Sequence, residues 1–310
     1  MPRDHGGGLD AARARRGGDA ADWLDLSTGI NPAPYPLPDL PARVWTALPD
    51  TGAQDALIAA ARRFWHVPDG AGILAAPGAS ALIARMPLLA RGTRADIPGP
   101  TYNEHAAAFR AAGWQVGDGG EARILVHPNN PDGRLWPLSE AERAPALLLV
   151  DESFADAGVP HSFVQAATRP GLVVLKSFGK FWGLAGLRLG FAVGHPDTLA
   201  PLRDALGPWP VSGPALAIGT AALSDEDWAG TTRDRLREDA LRLDALMAPH
   251  GTLAGGTDLF RLYDTPDAAA MQERLARHRI WSRIFPYSSR WLRLGLPPAD
   301  GWDRLAEALA

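Results

Sequence analysis

The stretch LVVLKSFGKFWGLAGLRLGFAVG, residues 172–194, contains Lys176 and Lys180, and the chain has no other lysine. Lysine and arginine together number 31, so 29 of these residues are arginine (31 − 2). A guanidinium stays protonated at any useful pH, whereas a lysine amine can become a nucleophile. A pair of lysines in a chain that otherwise uses arginine therefore indicates amine chemistry.

Short apolar segments alternate with helical ones around the two lysines. Residues 55–64 and 101–113 have the composition and apolar spacing of helices. Residues 122–133 have the pattern of a strand that runs into a turn, residues 147–154 that of a strand, and residues 171–180 that of a strand that ends in a loop. This alternation predicts an α/β fold with a mostly parallel central sheet and helices on both faces. Functional groups should then lie in the loops beyond the carboxyl ends of the strands.

The pattern changes at both ends of this series. Residues 1–45 are rich in glycine and proline and predict an extended N-terminal arm. Residues 46–208 form the predicted large domain. Residues 209–310, with a long helix near 225–247, predict a smaller α+β domain that the arm packs against.

Bulk composition narrows the class of protein. The formal net charge is −4, whereas nucleic-acid-binding proteins usually have a basic excess. The chain has no cysteine, which leaves no disulfide and no thiolate metal site, and no apolar run resembles a signal peptide or a membrane span. We expect a cytoplasmic enzyme that acts on a small molecule, with no metal and no nucleic-acid or membrane partner.

Polar residues follow several of the predicted strands. Gly78, Ala79 and Ser80 stand where a helix begins, so their backbone N–H groups could hold a phosphate or simply form a capped turn. Asn130 could donate to an oxygen or belong to an ordinary Asn-Pro turn. Asp151 ends an apolar strand, where a buried carboxylate is costly without a cationic partner.

The strongest group lies in the lysine stretch itself. Ser177 and Arg188 are spaced so that they could hold a phosphate while the Lys180 amine reaches a carbonyl. The alternative, a surface lysine near a salt-bridged arginine, is disfavoured because the chain has no lysine elsewhere. Lys176 has no assigned role.

One cofactor, pyridoxal 5'-phosphate, requires all of these groups. It needs a phosphate cradle, a lysine amine, a carboxylate for its ring nitrogen, here Asp151, and a donor to its phenolic oxygen, here Asn130. The carboxylate keeps the ring nitrogen protonated, so that the ring can accept electrons from the substrate's α-carbon. Tyr102 is placed to stack on the ring or to begin a helix as an ordinary half-buried aromatic residue. The predicted catalytic pair is Lys180 and Asp151.

The motif SFGKFWGLAGLRLGF, residues 177–191, resembles the lysine motif of the fold-type I pyridoxal-phosphate enzymes, the aspartate-aminotransferase superfamily. Its histidinol-phosphate aminotransferase-like branch is the most similar. The resemblance implies the fold-type I transferase fold and a homodimer. The cofactor-binding residues that it implies are Gly78, Ala79, Ser80, Tyr102, Asn130, Asp151, Ser177, Lys180 and Arg188.

A narrower resemblance extends from His5 to about Leu296. It is carried by HGGGL (5–9), DWLDLSTGINPAPYPLP (22–38), HPNNPDGRL (127–135), VDESF (150–154), PWPVSGPA (208–215) and GGTDLFRL (255–262). These segments are similar to the threonine-phosphate decarboxylase family of cobalamin biosynthesis. The resemblance implies decarboxylation of L-threonine O-3-phosphate to (R)-1-amino-2-propanol O-2-phosphate.

The same resemblance implies a site for a small, doubly anionic substrate. Arg293 matches the arginine that binds the α-carboxylate, and Arg283 matches a second substrate-binding arginine; such pairs orient a carboxylate as well as hold it. The remaining implied substrate contacts are His5, Gly6, Gly29, Asn31 and Asn130.

Two positions depart from the superfamily pattern. Phe154 stands where aminotransferases often have a tyrosine that hydrogen-bonds the phenolic oxygen, and Leu48 replaces a tyrosine that often reaches the neighbouring subunit's cofactor phosphate. Two alternatives stay open: an aminotransferase acting on a phosphorylated amino acid or amino alcohol such as histidinol phosphate, and a non-enzymatic partner of another cobalamin-pathway enzyme. The presence of Lys180 and Asp151 argues against the second.

Overall fold

The structure is a computed structural model that describes residues 5–142 and 145–310. The helices of these residues are α1 (Leu9–Arg16), α2 (Ala42–Thr46), α3 (Thr51–Phe64), α4 (Ala79–Ile83), α5 (Asn103–Ala111), α6 (Pro196–Leu206), α7 (Gly213–Leu223), α8 (Glu226–Met247), α9 (Ala268–Arg277) and α10 (Trp302–Leu309). The strands are β1 (Leu24–Asp25), β2 (Gly72–Ala76), β3 (Arg94–Asp96), β4 (Gln115–Val116), β5 (Ala122–Val126), β6 (Leu147–Asp151), β7 (Leu172–Ser177), β8 (Gly190–Gly194), β9 (Thr252–Thr257), β10 (Phe260–Asp264), β11 (Ile280–Trp281), β12 (Arg283–Phe285) and β13 (Ser288–Gly295).

The central sheet has the strand order β2-β8-β7-β6-β5-β3-β4. The pairs from β4 through β3, β5 and β6 to β7 are parallel, and β8 runs opposite to its two neighbours, β7 and β2. Every residue of β6 and β8 is buried, as expected for apolar strands covered on both faces. The predicted α/β fold with a mostly parallel sheet is therefore confirmed.

The core lies on both faces of this sheet. Leu149 and Leu175 pack on one face with Phe109 of α5 and Leu199 of α6. Val150, which alternation turns to the other face, is also fully buried. Each such side chain contributes about 1.5–3 kcal/mol on burial. This core fixes the carboxyl ends of β5, β6 and β7, where Asp151 and Ser177 stand.

Contacts divide the chain into two units. The larger unit contains residues 35–130 and 135–230, and the smaller one contains the described residues up to Pro34, the segment Pro131–Arg134, and Thr231–Ala310. In the smaller unit, β12-β13-β10-β9 form a sheet and β1 pairs with β11 in parallel. Segments 35–45 and 209–230 thus group with the larger unit, outside the boundaries predicted at 45 and 208. The division into an arm and two domains stays a prediction.

The N-terminal segment is less extended than predicted, because residues 9–16 form α1. Its sequence, LDAARARR, contains mainly alanine and arginine, which are strong helix formers. Gly17, with φ of 73°, ends the helix in a backbone conformation that glycine adopts readily. No helix of the described residues combines the length and the apolar character that a membrane crossing requires.

Candidate active site

A cavity of about 140 Å³ lies at the carboxyl ends of β5, β6 and β7 in the larger unit. Of the predicted cofactor-binding residues, those that line it are Ala79, Ser80, Tyr102, Asn130, Asp151, Ser177, Lys180 and Arg188. The other lining residues are Ile83, Val126, Ser153, Phe154, Gly179 and Ala185. The structure brings side chains from six separate segments of the chain together at the sheet edge where ligands of α/β folds bind. Their binding roles stay predictions.

Asp151, the last residue of β6, presents a buried carboxylate at this cavity. It is 2% exposed, and His105 Nε2 lies 2.8 Å from its Oδ2. The Ser153 backbone N–H donates to Oδ1 over 3.0 Å, and the Ser153 hydroxyl donates to the same oxygen. Burial alone would raise the pKa of Asp151, but the hydrogen bonds from His105 and Ser153 and the charge of His105 hold that pKa below its ordinary value. The carboxylate is therefore ionised at neutral pH.

Besides Ser153, sequence reasoning missed His105, which also hydrogen-bonds Asp151. It is fully buried on α5, and its ring meets Tyr102 edge to face with the ring centroids 5.9 Å apart. Positions three apart share one face of a helix, so Tyr102 turned toward the cavity brings His105 with it. That spacing, together with a histidine in an otherwise alanine-rich helix, is the signal in the sequence that could have identified His105.

Gly78, which immediately precedes α4, allows the Arg188 guanidinium to lie close to the start of that helix. Gly78 has φ of 87°, and a Cβ built on it would lie 2.5 Å from Arg188 Nη2. Gly190 is similarly restricted, because a Cβ there would collide with the Ala79 backbone nitrogen. Arg188 itself has φ of 53°, and its Nη1 donates to the Ala185 carbonyl over 3.0 Å. The backbone thus holds a cation beside the first N–H groups of α4. Gly78 does not line the cavity but makes this approach possible.

Lys180 lies in the loop between β7 and β8, which comprises residues 178–189. Its Nζ is 5.5 Å from the centroid of the Phe154 ring. Phe154 is buried and lines the cavity, so at this position the wall is apolar and offers no phenolic hydroxyl. The Ser177 hydroxyl, at the start of the loop, accepts a hydrogen bond from the Gly179 N–H over 3.3 Å. Lys180 therefore brings an amine to a cavity that Asp151 also faces.

These residues fit pyridoxal 5'-phosphate. A buried, ionised carboxylate suits a protonated ring nitrogen, and an amine at the same cavity suits an aldehyde. The glycine-permitted approach of Arg188 to the start of α4 gives a cationic place for a phosphate. By contrast, the described part of the chain contains no group of three His, Asp or Glu side chains that could hold a metal ion.

The predicted carboxylate-binding arginine lies in the smaller unit. Arg293 is 5% exposed, its Nη2 donates to the Ser27 carbonyl over 2.7 Å, and its guanidinium lies 5.1 Å from the centroid of the Phe260 ring. Burial, followed by the charge of Arg283, lowers the pKa of Arg293 to about 10. Arg293 is still protonated at neutral pH, and an anion beside it would offset both the burial and the repulsion from Arg283.

The other predicted substrate contacts in the smaller unit occupy different environments. Asn31 is 2% exposed, and its Oδ1 accepts hydrogen bonds from Arg235 Nη2 over 2.7 Å and from the Ala33 N–H over 3.0 Å. Gly6 approaches the guanidinium of Arg293, since a Cβ on it would lie 3.3 Å from Nη2. His5 is exposed and Gly29 is buried. Asn31 thus has a turn-forming role whether or not it also contacts substrate.

The fold and the cavity together define an α/β protein of the aminotransferase type. Residues 121–309 match the sequence model of the family described as aminotransferase class I and II. The chain belongs to this family, and the predicted fold class is confirmed.

Curated relatives match the whole chain. The chain is 44% identical to a threonine-phosphate decarboxylase from Sinorhizobium sp., over 100% of this chain and 98% of the relative. It is 41% identical to a threonine-phosphate decarboxylase from Pseudomonas aeruginosa, over 99% of this chain and 97% of that protein. A solved structure of histidinol-phosphate aminotransferase from Sinorhizobium meliloti in complex with pyridoxal-5'-phosphate has a TM-score of 0.84 at 19% identity, covering 100% of this chain and 94% of the other. At that identity the structural likeness shows the fold alone.

Proposed function

We propose that this chain is a threonine-phosphate decarboxylase that uses pyridoxal 5'-phosphate. It converts L-threonine O-3-phosphate to (R)-1-amino-2-propanol O-2-phosphate and CO2, and serves cobalamin biosynthesis. The choice of reaction rests on the 44% identity, over the whole chain, to a threonine-phosphate decarboxylase. The aminotransferase alternative is not favoured, because the two full-length relatives described above are both named as decarboxylases. The non-enzymatic alternative is disfavoured because the family is enzymatic.

The cavity residues would divide the binding of the cofactor among them. Lys180 Nζ would bind its aldehyde carbon, and Asp151 would accept a hydrogen bond from its ring nitrogen and keep that nitrogen protonated. Arg188, Ser177 and the first N–H groups of α4 would hold the phosphate. When bound, the cofactor supplies a conjugated ring that accepts the electron pair left at the substrate's α-carbon as CO2 departs.

The substrate would be held by its two anionic groups. Arg293, which is buried and protonated, would bind the α-carboxylate, with Arg283 as a second cationic contact. His5, Gly6, Gly29 and Asn31 would contact the phosphate. Holding both anions fixes the rotation about the α-carbon, and this rotation decides whether the carboxylate or the α-hydrogen is lost. The proton that replaces CO2 comes from an acid, for which Lys180 Nζ and a water molecule are the two candidates.

A homodimer in the cytoplasm is the proposed working form. Leu37, Trp45 and Leu48 are 66%, 67% and 65% exposed. Leu48 also lines a groove of about 610 Å³ formed by residues of α2, α3 and α7. Large apolar side chains exposed beside a groove are typical of protein interfaces. Light scattering should give twice the mass of one chain, and Trp45→Glu should shift the protein toward monomer; a wild-type monomer would overturn this part of the proposal.

The reaction is tested by incubating the purified protein and pyridoxal 5'-phosphate with L-threonine O-3-phosphate, with and without 2-oxoglutarate. We expect CO2 release that does not require 2-oxoglutarate and does not occur with Lys180→Ala. Glutamate formation from added 2-oxoglutarate, without CO2, would replace the decarboxylase by an aminotransferase. Absence of both products would reject the proposed function.

A further inference from the structure

Lys176, which the proposed function does not use, lies in a buried ion cluster. Its side chain is 4% exposed, and its Nζ is 2.7 Å from Glu152 Oε2 and 3.4 Å from Asp156 Oδ1. Burial would lower the pKa of Lys176, but the two carboxylates raise it above its ordinary value. The amine is therefore charged, and its role is electrostatic rather than nucleophilic.

Asp156 links this cluster to two tryptophan side chains. Its Oδ1 accepts a hydrogen bond from Trp65 Nε1 over 3.0 Å, and its Oδ2 accepts one from Trp182 Nε1 over 3.1 Å. Both indoles are buried, at 7% exposure for Trp65 and 0% for Trp182. The Lys176 amine, 3.4 Å from Asp156 Oδ1, offsets the cost of burying this carboxylate.

Trp182 is two residues beyond Lys180 and is fixed on several sides. Its ring stacks between those of Phe178 and Trp228, with centroid distances of 5.1 Å and 5.4 Å and interplanar angles of 11° and 14°. Its backbone carbonyl accepts a hydrogen bond from the Tyr35 N–H over 2.9 Å. Phe178 lies two residues before Lys180, so a fully buried aromatic side chain lies on each side of the lysine in the sequence.

Glycines before and after Lys180 give the backbone of this loop conformational freedom. Gly179 precedes the lysine, and Gly183 follows within the same loop with φ of 68°. Glycine gives a loop conformational freedom that a positioned amine must lose. The buried aromatic residues nearest to Lys180 in this loop are Phe178, Phe181 and Trp182, and Phe181 packs against Trp182 with the ring centroids 5.1 Å apart. Of these three, Trp182 is the one whose indole N–H is held by Asp156.

We propose that the Lys176–Asp156–Trp182 chain of contacts positions the Lys180 loop. The Lys176 amine pairs with Asp156 Oδ1 at 3.4 Å, and Asp156 Oδ2 accepts the hydrogen bond from the Trp182 indole that holds this point of the loop. Lys176, Asp156 and Trp182 are positioning residues that act through Lys180. The inference rests on the proposed function only in taking Lys180 as the amine that binds the cofactor.

The chain offers a matched pair of variants. Trp182→Phe and Trp65→Phe each remove one indole N–H from the same carboxylate and each keep an aromatic ring, but only Trp182 belongs to the Lys180 loop. Two readouts apply to the full chain: hydrogen exchange of residues 178–189 without cofactor, and the rate at which borohydride traps pyridoxal 5'-phosphate on Lys180. We expect Trp182→Phe to accelerate exchange in the loop and to slow trapping at least about tenfold, with Trp65→Phe within about twofold of wild type.

A second pair tests the charge. Lys176→Met should slow trapping in the same direction as Trp182→Phe, and Lys176→Arg, which keeps the cation, should restore most of the rate. If Lys176→Met does not fold, the tryptophan pair alone decides. Equal effects of Trp182→Phe and Trp65→Phe on both readouts, or faster loop exchange with unchanged trapping, would overturn the inference.

The same measurements on the wild-type chain distinguish failure of the proposed function from failure of the positioning role. A wild-type chain that traps cofactor on Lys180 but releases no CO2 rejects the decarboxylase and leaves the positioning role standing. A wild-type chain that traps no cofactor rejects both the function and the claim about Lys180 positioning.

Discussion

Lys176 and Lys180 are four residues apart, yet they lie in opposite environments. The Lys176 amine contacts Glu152 and Asp156 in a buried cluster, whereas Lys180 lines the cavity. Two carboxylates keep the first amine charged, and a charged amine is not a nucleophile. Both residues are lysines, so their positions decide which amine is available for chemistry. Lys176 belongs to β7 inside the core, and Lys180 follows the carboxyl end of that strand.

Among the variants that test the difference between the two lysines, Lys180→Ala should have the largest effect on turnover. Removing the amine that we propose binds the cofactor should lower CO2 release by at least about 10³-fold. The unfolding midpoint in urea should stay near that of wild type, because Lys180 is only half-buried. Wild-type-like turnover by this variant would contradict the role given to Lys180.

Asp151→Asn should have the next largest effect on turnover. An amide cannot hold the proton on the cofactor's ring nitrogen as a carboxylate does, so CO2 release should fall about 10²–10³-fold. Cofactor absorbance followed against pH is the second measurement. Because the pKa of Asp151 is lowered, the carboxylate effect in wild type is present at neutral pH and is lost only as the pH falls through that lowered value. A variant with unchanged turnover and absorbance would remove Asp151 from the mechanism.

Lys176→Met should lower stability in addition to slowing the trapping of cofactor. It leaves Glu152 and Asp156 buried without their cation, which should cost about 3–5 kcal/mol of unfolding free energy in a urea titration. The pKa of Lys176 is raised in the folded protein, so its contribution is complete below the unfolded value and is lost as the pH rises through the folded one. The difference between wild type and variant should therefore shrink at high pH. A variant as stable as wild type at pH 7 would show that the cluster is not stabilising.

Gly78→Ala should have the smallest effect of the series. The new Cβ would meet Arg188 Nη2 at 2.5 Å, in a backbone conformation with φ of 87°. The affinity for pyridoxal 5'-phosphate, measured by absorbance titration, should fall about tenfold. Gly52→Ala is the matched control, because a Cβ at Gly52 meets nothing within 4 Å. Equal affinities of the two variants would argue against the phosphate cradle.

The central sheet was predictable because its strands are wholly apolar and end in polar residues. The strands predicted within residues 147–154 and 171–180 are β6 (Leu147–Asp151) and β7 (Leu172–Ser177), and their last residues, Asp151 and Ser177, both line the cavity. Regular spacing along the chain is enough to predict such positions, because parallel strands place their carboxyl ends at one edge.

Contacts between distant segments were not predictable in the same way. The sequence can draw attention to His105 on α5, but it does not predict that its ring reaches Asp151 at the end of β6, which is a contact between segments 46 residues apart. The carboxylates that contact Lys176, Glu152 and Asp156, follow β6 in the sequence. Asp156 in turn accepts hydrogen bonds from Trp65, at the end of α3, and from Trp182 in the Lys180 loop. The grouping of residues 209–230 with the larger unit depends on packing, such as that of α7 on α3.

The measurement that tests the central claim most directly is peptide mapping after borohydride reduction of the protein with bound pyridoxal 5'-phosphate. The account predicts that the reduced cofactor is attached to Lys180, with Lys176 unmodified. Attachment at Lys176, or at no lysine, would contradict it.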